Sequence, residues 1–182
     1  METTDVLTKV KWRIDRSHSE VAFKVKHLMI TTVKGVFREF DASIYTSGDD
    51  FMTAEVDSWM NPASIDTHDE KRDAHLKSAD FFDVENYKQI TFMGNTYEKV
   101  GKDRYELYGE LTIKGITKQI KLDVEFGGVM KDPWGNEKAG FSLSGKINRK
   151  DWGLNWNATL EAGGVLVSDE ITISCDIQLI RQ

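Results

Sequence analysis

The sequence predicts an all-β protein: an eight-stranded antiparallel barrel with a short helical insert, at about residues 67–83, covering one end. Three observations carry this. Apolar and polar residues alternate along most of the chain, the period-two signature of strands with one buried face. One long stretch, Asp66 to Tyr87, does not alternate. Helical residues are therefore too few to cover an open sheet, and the apolar faces must cover one another. Closure into a barrel does this and removes exposed edges, while a two-sheet sandwich is the competing arrangement. A chain of 182 residues is long enough for one domain with a real core, here spanning residues 1–182.

From Val21, alternate residues Val21, Phe23 and Val25 form an apolar face, with Lys24 and Lys26 opposite and His27 falling on the apolar side. After a break at residues 28–32, a strand from about Val33 to Tyr45 changes its apolar register between Phe37 and Phe40, which predicts a bulge or bend, with Gly35 allowing close approach. Thr53 to Met60 is the next strand and Pro62 ends it. Extended structure resumes at Gln89 to Met93, with Ile90 and Phe92 in phase. Tyr105, Leu107, Leu111 and Ile113 form a further apolar face; Lys114-Gly115 predicts a hairpin into a strand carrying Ile116, Ile120, Leu122, Val124 and Phe126. The polar loop Lys131–Asn136 precedes a strand with Phe141, Leu143 and Ile147 inward. The last strand places Ile171, Ile173, Cys175, Ile177 and Leu179 on one side.

Within the insert, Thr67 and Glu70 have the spacing of a capping box for a helix from about His68 to Leu76, and Ser78 and Asp80 suggest a second cap. Phe81 and Phe82 follow, two adjacent rings that cannot both face water without cost, so at least one is expected to plug the barrel end.

The chain has 30 acidic residues against 24 Lys and Arg, a net charge of -6, which argues against nucleic-acid binding because phosphate recognition needs a dense basic face. The single cysteine rules out an internal disulfide. The first residues lack the features of a signal peptide, and no apolar run approaches membrane-spanning length. The expectation is a cytoplasmic protein, or a periplasmic one if a leader has been removed; a homodimer is the ordinary prior for assembly.

Reactive chemistry finds little support. On the predicted helix His68 and His75 lie two turns apart, roughly 10 Å, too far to ligate one ion, and no metal site is expected. Asp66, His68, Asp69 and Asp73 read as a solvated charged face. Asp15, Ser17 and His18 are the residue types of a hydrolytic triad, but neighbouring strand positions point to opposite faces and no Gly-x-Ser-x-Gly elbow accompanies them. Cys175, on the inner face, reads as an inert small hydrophobe. No catalytic residue is assigned. His27, a polar ring on an apolar face, needs a hydrogen-bond partner and is either a satisfied core histidine or a head-group contact. The same two readings apply to Arg72, a surface ion pair or a head-group contact.

Several ordered motifs resemble one known family. Trp12-Arg-Ile-Asp15, Ser17-His-Ser19, Val21 to Leu28 and Lys34-Gly-Val-Phe37 are similar to the opening of the YceI-like family. Arg72 to Phe82, Gly109 to Gly115 and Ile147-Asn-Arg-Lys-Asp-Trp-Gly-Leu154 are similar to its later motifs, so the resemblance covers about Trp12 to Leu179. It implies a lipocalin-like barrel with an elongated apolar cavity that binds a polyisoprenoid or related long-chain amphiphile, an isoprenoid quinone or polyprenyl lipid, with no cofactor required. The implied site is the inner face, with Phe23, Phe37, Phe40, Phe92, Leu111 and Phe141, and His27, Arg72, Leu76, Phe81 and Phe82 near the opening; Trp152 and Asn155 belong to a matching loop motif. Two alternatives stand beside this non-enzymatic carrier: an enzyme acting on a bound isoprenoid with His27 as acid or base, and a solidly packed barrel serving as an interaction module.

Overall fold

The computed structural model describes residues 8–158, 160 and 166–182. Its strands are β1 (Lys9–Ile14), β2 (Glu20–His27), β3 (Thr31–Phe37), β4 (Phe40–Ser47), β5 (Asp50–Met60), β6 (Ile65–Asp66), β7 (Ile90–Gly101), β8 (Arg104–Ile113), β9 (Ile116–Lys131), β10 (Glu137–Asn148) and β11 (Val167–Arg181), with one helix, α1 (Glu70–Lys77), between β6 and β7. All pairings are antiparallel, and the order β1-β4-β5-β7-β8-β9-β10-β11 closes on itself where β1 pairs with β11. The result is a closed eight-stranded barrel.

The remaining strands are continuations. Along one edge of β11, Leu179 to Arg181 pair with β1 and Val167 to Asp176 pair with β2. β3 then pairs with β2, and β6 with β3, so β1/β2, β3/β4 and β5/β6 are three long strands, each broken once. Two of the breaks are stitched together: Arg38 N–H donates to the Ser64 carbonyl (3.2 Å), Glu39 N–H to Ser64 Oγ (3.0 Å), and Asn61 N–H to the Glu39 carbonyl (2.9 Å). This is the bend that the register change between Phe37 and Phe40 predicts. β1 itself escapes a reading that starts at Val21, although Val10, Trp12 and Ile14 alternate cleanly with Lys9, Lys11 and Arg13.

The helix begins later than predicted. Its N-cap is Asp69, whose carboxylate accepts from Lys71 N–H (3.1 Å) and Arg72 N–H (3.0 Å), and not Thr67. Thr67 extends the strand end, and its N–H (3.0 Å) and hydroxyl (2.6 Å) both donate to Asp73 on the helix. His68, with φ 64°, makes the corner between them. Ser78 closes α1 at its C-terminus instead of opening a second helix, its hydroxyl donating to the His75 carbonyl (2.5 Å).

At the end opposite α1, Val10, Trp12, Ile14, Phe40, Ile44 and Leu179 pack into one buried cluster, where the Trp12 indole N–H donates to Thr46 Oγ1 (3.0 Å). A larger cluster built on Ile90, Phe92, Leu107, Leu111, Ile113 and Leu122 fills much of the α1 end.

Candidate ligand-binding site

Alternation turns one face of every barrel strand inward, and those faces carry mostly Val, Ile, Leu and Phe, with Met60, Tyr97, Tyr105 and Cys175 among them. They enclose an elongated cavity of about 300 Å³, reaching from Phe51, Tyr97 and Tyr105 at one end to Phe81, Leu154 and Val167 at the other. The rings of Phe23 and Phe92 do not cross it. Each lies along the wall over a glycine of the neighbouring strand: a Cβ built on Gly35 would stand 2.4 Å from the Phe23 ring, and one on Gly109 2.5 Å from the Phe92 ring. Gly35 thus serves the close approach that its place in the sequence suggests.

Nine of the thirteen residues expected at the site line this cavity: Phe23, Phe37, Phe40, Phe92, Leu111 and Phe141 on the strands, and Leu76, Phe81 and Phe82 from the insert. Both insert rings face inward. Phe82 meets Phe37 edge-on at 5.9 Å, and Phe37 in turn meets Phe23 at 5.6 Å.

The other four are not part of the lining. His27 has the inward phase of Phe23 and Val25 but is not part of the lining, although its register partner Val167 is. Its ring is only half-buried, which removes the need for an interior partner. Arg72 folds back on its own segment, donating from Nε to Thr67 Oγ1 (2.8 Å) and from Nη2 to the Thr67 carbonyl (2.6 Å). Trp152 is buried beside a separate groove between β9 and β10, its indole N–H donating to the Leu111 carbonyl (2.9 Å). Asn155 is exposed.

Three features were missed by sequence reasoning. Arg149 is 2% exposed and lines one end of the cavity, yet its guanidinium is consumed by backbone: Nε donates to the Ser168 carbonyl (3.0 Å), Nη1 to those of Leu154 (2.5 Å) and Trp156 (2.9 Å), with Asp169 at 3.8 Å. Burial pulls its pKa down while the Asp169 carboxylate opposes the shift. The signal was available, since residue 149 continues the inward phase of Phe141, Leu143 and Ile147. Trp156 is the second: it meets His75 edge-on at 4.5 Å and Phe81 at 5.5 Å, and His75 Nε2 lies 2.8 Å from Asp80 Oδ2, so α1 is latched to the segment after β10. The third is Tyr97, whose phenol burial pushes up to about 12.

Asp15, Ser17 and His18 do converge, because residues 16–18 form a 3₁₀ turn and not a strand. Their geometry is wrong for hydrolysis. Ser17 Oγ donates to Asp15 Oδ1 (2.8 Å), and the same ring nitrogen, His18 Nδ1, faces both Asp15 (3.0 Å) and Ser17 (3.1 Å). A triad needs the carboxylate and the serine on opposite ring nitrogens. Cys175 lines the cavity, and its thiol is pushed up to about 11 by burial, which leaves it protonated and unreactive at neutral pH. Among the described residues no cluster of three His, Cys, Asp or Glu side chains is placed to hold a metal ion. No helix among them is long and apolar enough to cross a membrane. The wall is suited to holding an apolar guest.

The model of the YceI-like domain family matches residues 12–179. A UPF0312 protein of Staphylococcus epidermidis is 40% identical over 162 residues, covering 88% of this chain and 92% of the relative. The solved YceI protein of Campylobacter jejuni is 37% identical and superposes with a TM-score of 0.73, covering 92% of this chain and 96% of its own. A polyisoprenoid binding domain from Saccharophagus degradans, 14% identical, shares the fold with a TM-score of 0.68 over 94% of this chain and 98% of its own.

Proposed function

This chain belongs to the YceI-like domain family, and from that premise we propose that it binds, stores or carries one polyisoprenoid or related long-chain amphiphile, an isoprenoid quinone or polyprenyl lipid, without transforming it. One observation carries the reading: a continuous apolar wall surrounds about 300 Å³ of unfilled space inside an otherwise well-packed barrel. Protein interiors ordinarily leave few voids larger than a water molecule, so a hollow of this size asks for an occupant. Burial of a lipid tail supplies about 0.8 kcal/mol per CH₂, enough for tight binding after the losses of association. The relative from Saccharophagus degradans, described as a polyisoprenoid binding domain, supports the same ligand class. His27, on which an enzymatic alternative rests, is not part of the lining, and the void weighs against a packed interaction module.

The test is organic extraction of the purified protein with mass spectrometry, beside a native mass spectrum. A near one-to-one prenyl or long-chain species is expected, and Ile173→Asp, which charges the wall, is expected to abolish uptake while circular dichroism stays that of a folded barrel. Ligand-free protein that also refuses added quinones and polyprenyl lipids, or a folded Ile173→Asp variant with full uptake, overturns the reading.

A further inference from the structure

The turn joining β2 to β3 is not explained by folding. Leu28, Met29 and Ile30 are 38%, 64% and 77% exposed. Ile30 N–H closes the turn on the His27 carbonyl (3.2 Å), with Leu28 and Met29 at φ 53° and 63°. Tight turns with two left-handed central residues are ordinarily built from Asn and Gly, because a side chain with bulk is strained there. Here the strained positions hold large apolar side chains that point into solvent.

The strands behind the tip are basic in a chain of net charge -6. Lys24, Lys26 and Lys34 are exposed, and Lys24 stands directly opposite Lys34 in the register, an arrangement that weakens strand pairing. Among the described residues none of the three has a carboxylate within ion-pair distance. The acids on the neighbouring end of β11 are engaged elsewhere: Glu170 with Lys146, and Asp169 with Arg149 and Lys150.

We infer that the β2–β3 hairpin is a membrane-docking element whose apolar tip enters the headgroup layer of an anionic bilayer while Lys24, Lys26 and Lys34 meet its negative charge. The dimensions suit this. At the rise of a strand, Lys26 lies about 7 Å behind Leu28, and Lys24 and Lys34 about 13 Å behind the tip residues, within reach of a charged surface given their long stems. Exposed apolar residues also occur at the other end, where Met130 and Trp134 are 77% and 83% exposed on the β9–β10 hairpin. That loop is built around Asp132, which accepts from Trp134 and Asn136 N–H, and Asp49 and Asp103 occupy turns at the same end. Asp132 is paired with Lys138 (3.6 Å) and Asp49 with Arg181 (2.8 Å), so the acids there are offset by their own cations and the loop has no strained apolar pair like Leu28 and Met29. The inference is independent of what the cavity holds.

The experiment is co-flotation of the full chain with phosphatidylcholine vesicles and with vesicles containing about 30 mol % phosphatidylglycerol, whose negative surface gains roughly fivefold in affinity per nearby lysine. The expected result is binding to the anionic vesicles that weakens with added salt, at least about tenfold loss in Ile30→Asp and in the Lys24→Glu/Lys34→Glu double variant, and no change in Trp134→Ser. All these positions are exposed, so folding is retained and circular dichroism verifies it. Absence of binding to anionic vesicles, equal binding to both vesicle types, or full binding by Ile30→Asp overturns the inference.

Discussion

The inner face of the barrel is apolar all the way round, but its two halves are filled differently. On β7, β8 and β9 the inward side chains of Ile90, Phe92, Leu107, Leu111 and Leu122 are buried, Leu107 to 3% exposure. On β2, β10 and β11 the equally inward Phe23, Phe141, Leu143, Ile171 and Ile173 are only half-buried, although both sets line the one cavity. Alternation alone therefore decides which side chains point in. It does not decide whether they meet anything there. The rings of Phe23 and Phe92, laid flat over Gly35 and Gly109, keep the axis clear.

Truncation on the packed half is the most direct way to break this comparison. Leu107→Ala should cost about 2–4 kcal/mol through lost burial and a new cavity, lowering Tm by roughly 5–15 °C. The matching change on the less buried half, Ile173→Ala, should cost only about 1 kcal/mol, because that side chain is half-buried where Leu107 is almost fully buried. Equal losses in thermal unfolding of the two variants would mean the halves are packed alike.

Gly35→Ala comes next. Its added methyl would meet the Phe23 ring and the Thr67 methyl, at 2.4 and 2.9 Å, and must drive the ring toward the axis. A cost of about 1–3 kcal/mol is expected together with reduced lipid uptake, measured by denaturation and by extraction. A stability loss with unchanged uptake would show that the ring's position does not govern the hollow.

A smaller effect separates the halves by how they are tied. Asp15 sits at the break between β1 and β2 and accepts from Gln178 Nε2 on β11 (3.1 Å) and Lys138 Nζ on β10 (3.4 Å). Burial raises its pKa, but the hydrogen bonds of Ser17 and His18, the charge of His18 and the Lys138 bond outweigh it and hold the carboxyl at about 2, against 3.8 in the unfolded chain. A lowered folded-state pKa means the contribution is fully present above pH 3.8 and is lost as pH falls through about 2. We expect about 1–2 kcal/mol of acid-labile stability, absent in Asp15→Asn, with hydrogen exchange rising first on β2 and β11. Uniform exchange around the barrel at low pH would contradict this division.

How much of the site was legible follows from what periodicity measures. It ranks faces, so phase puts Phe23, Phe37, Phe40, Phe92, Leu111 and Phe141 on the apolar side of their strands, and it is the family resemblance that makes that side a binding site. Periodicity does not say which inward residues reach the cavity: His27 shares the phase of Phe23 yet is not part of the lining. Loops have no period at all: Trp152 and Asn155 could not be placed, and the segment that Arg149 organises through backbone carbonyls was invisible. The helix start failed for a related reason. Thr67 and Glu70 have capping spacing, but Thr67 is claimed by Asp73 and Arg72, contacts that exist only once the chain has turned at His68.

The sequence by itself determined the strand class, the polarity of each face and the need for closure, because these depend on local alternation and on having too few helical residues to cover a sheet. Tertiary structure alone decided that the barrel is hollow. A cavity is the small difference between the volume a ring of eight strands encloses and the volume its inward side chains fill, and that difference turns on whether Phe23 and Phe92 lie along the wall or cross it.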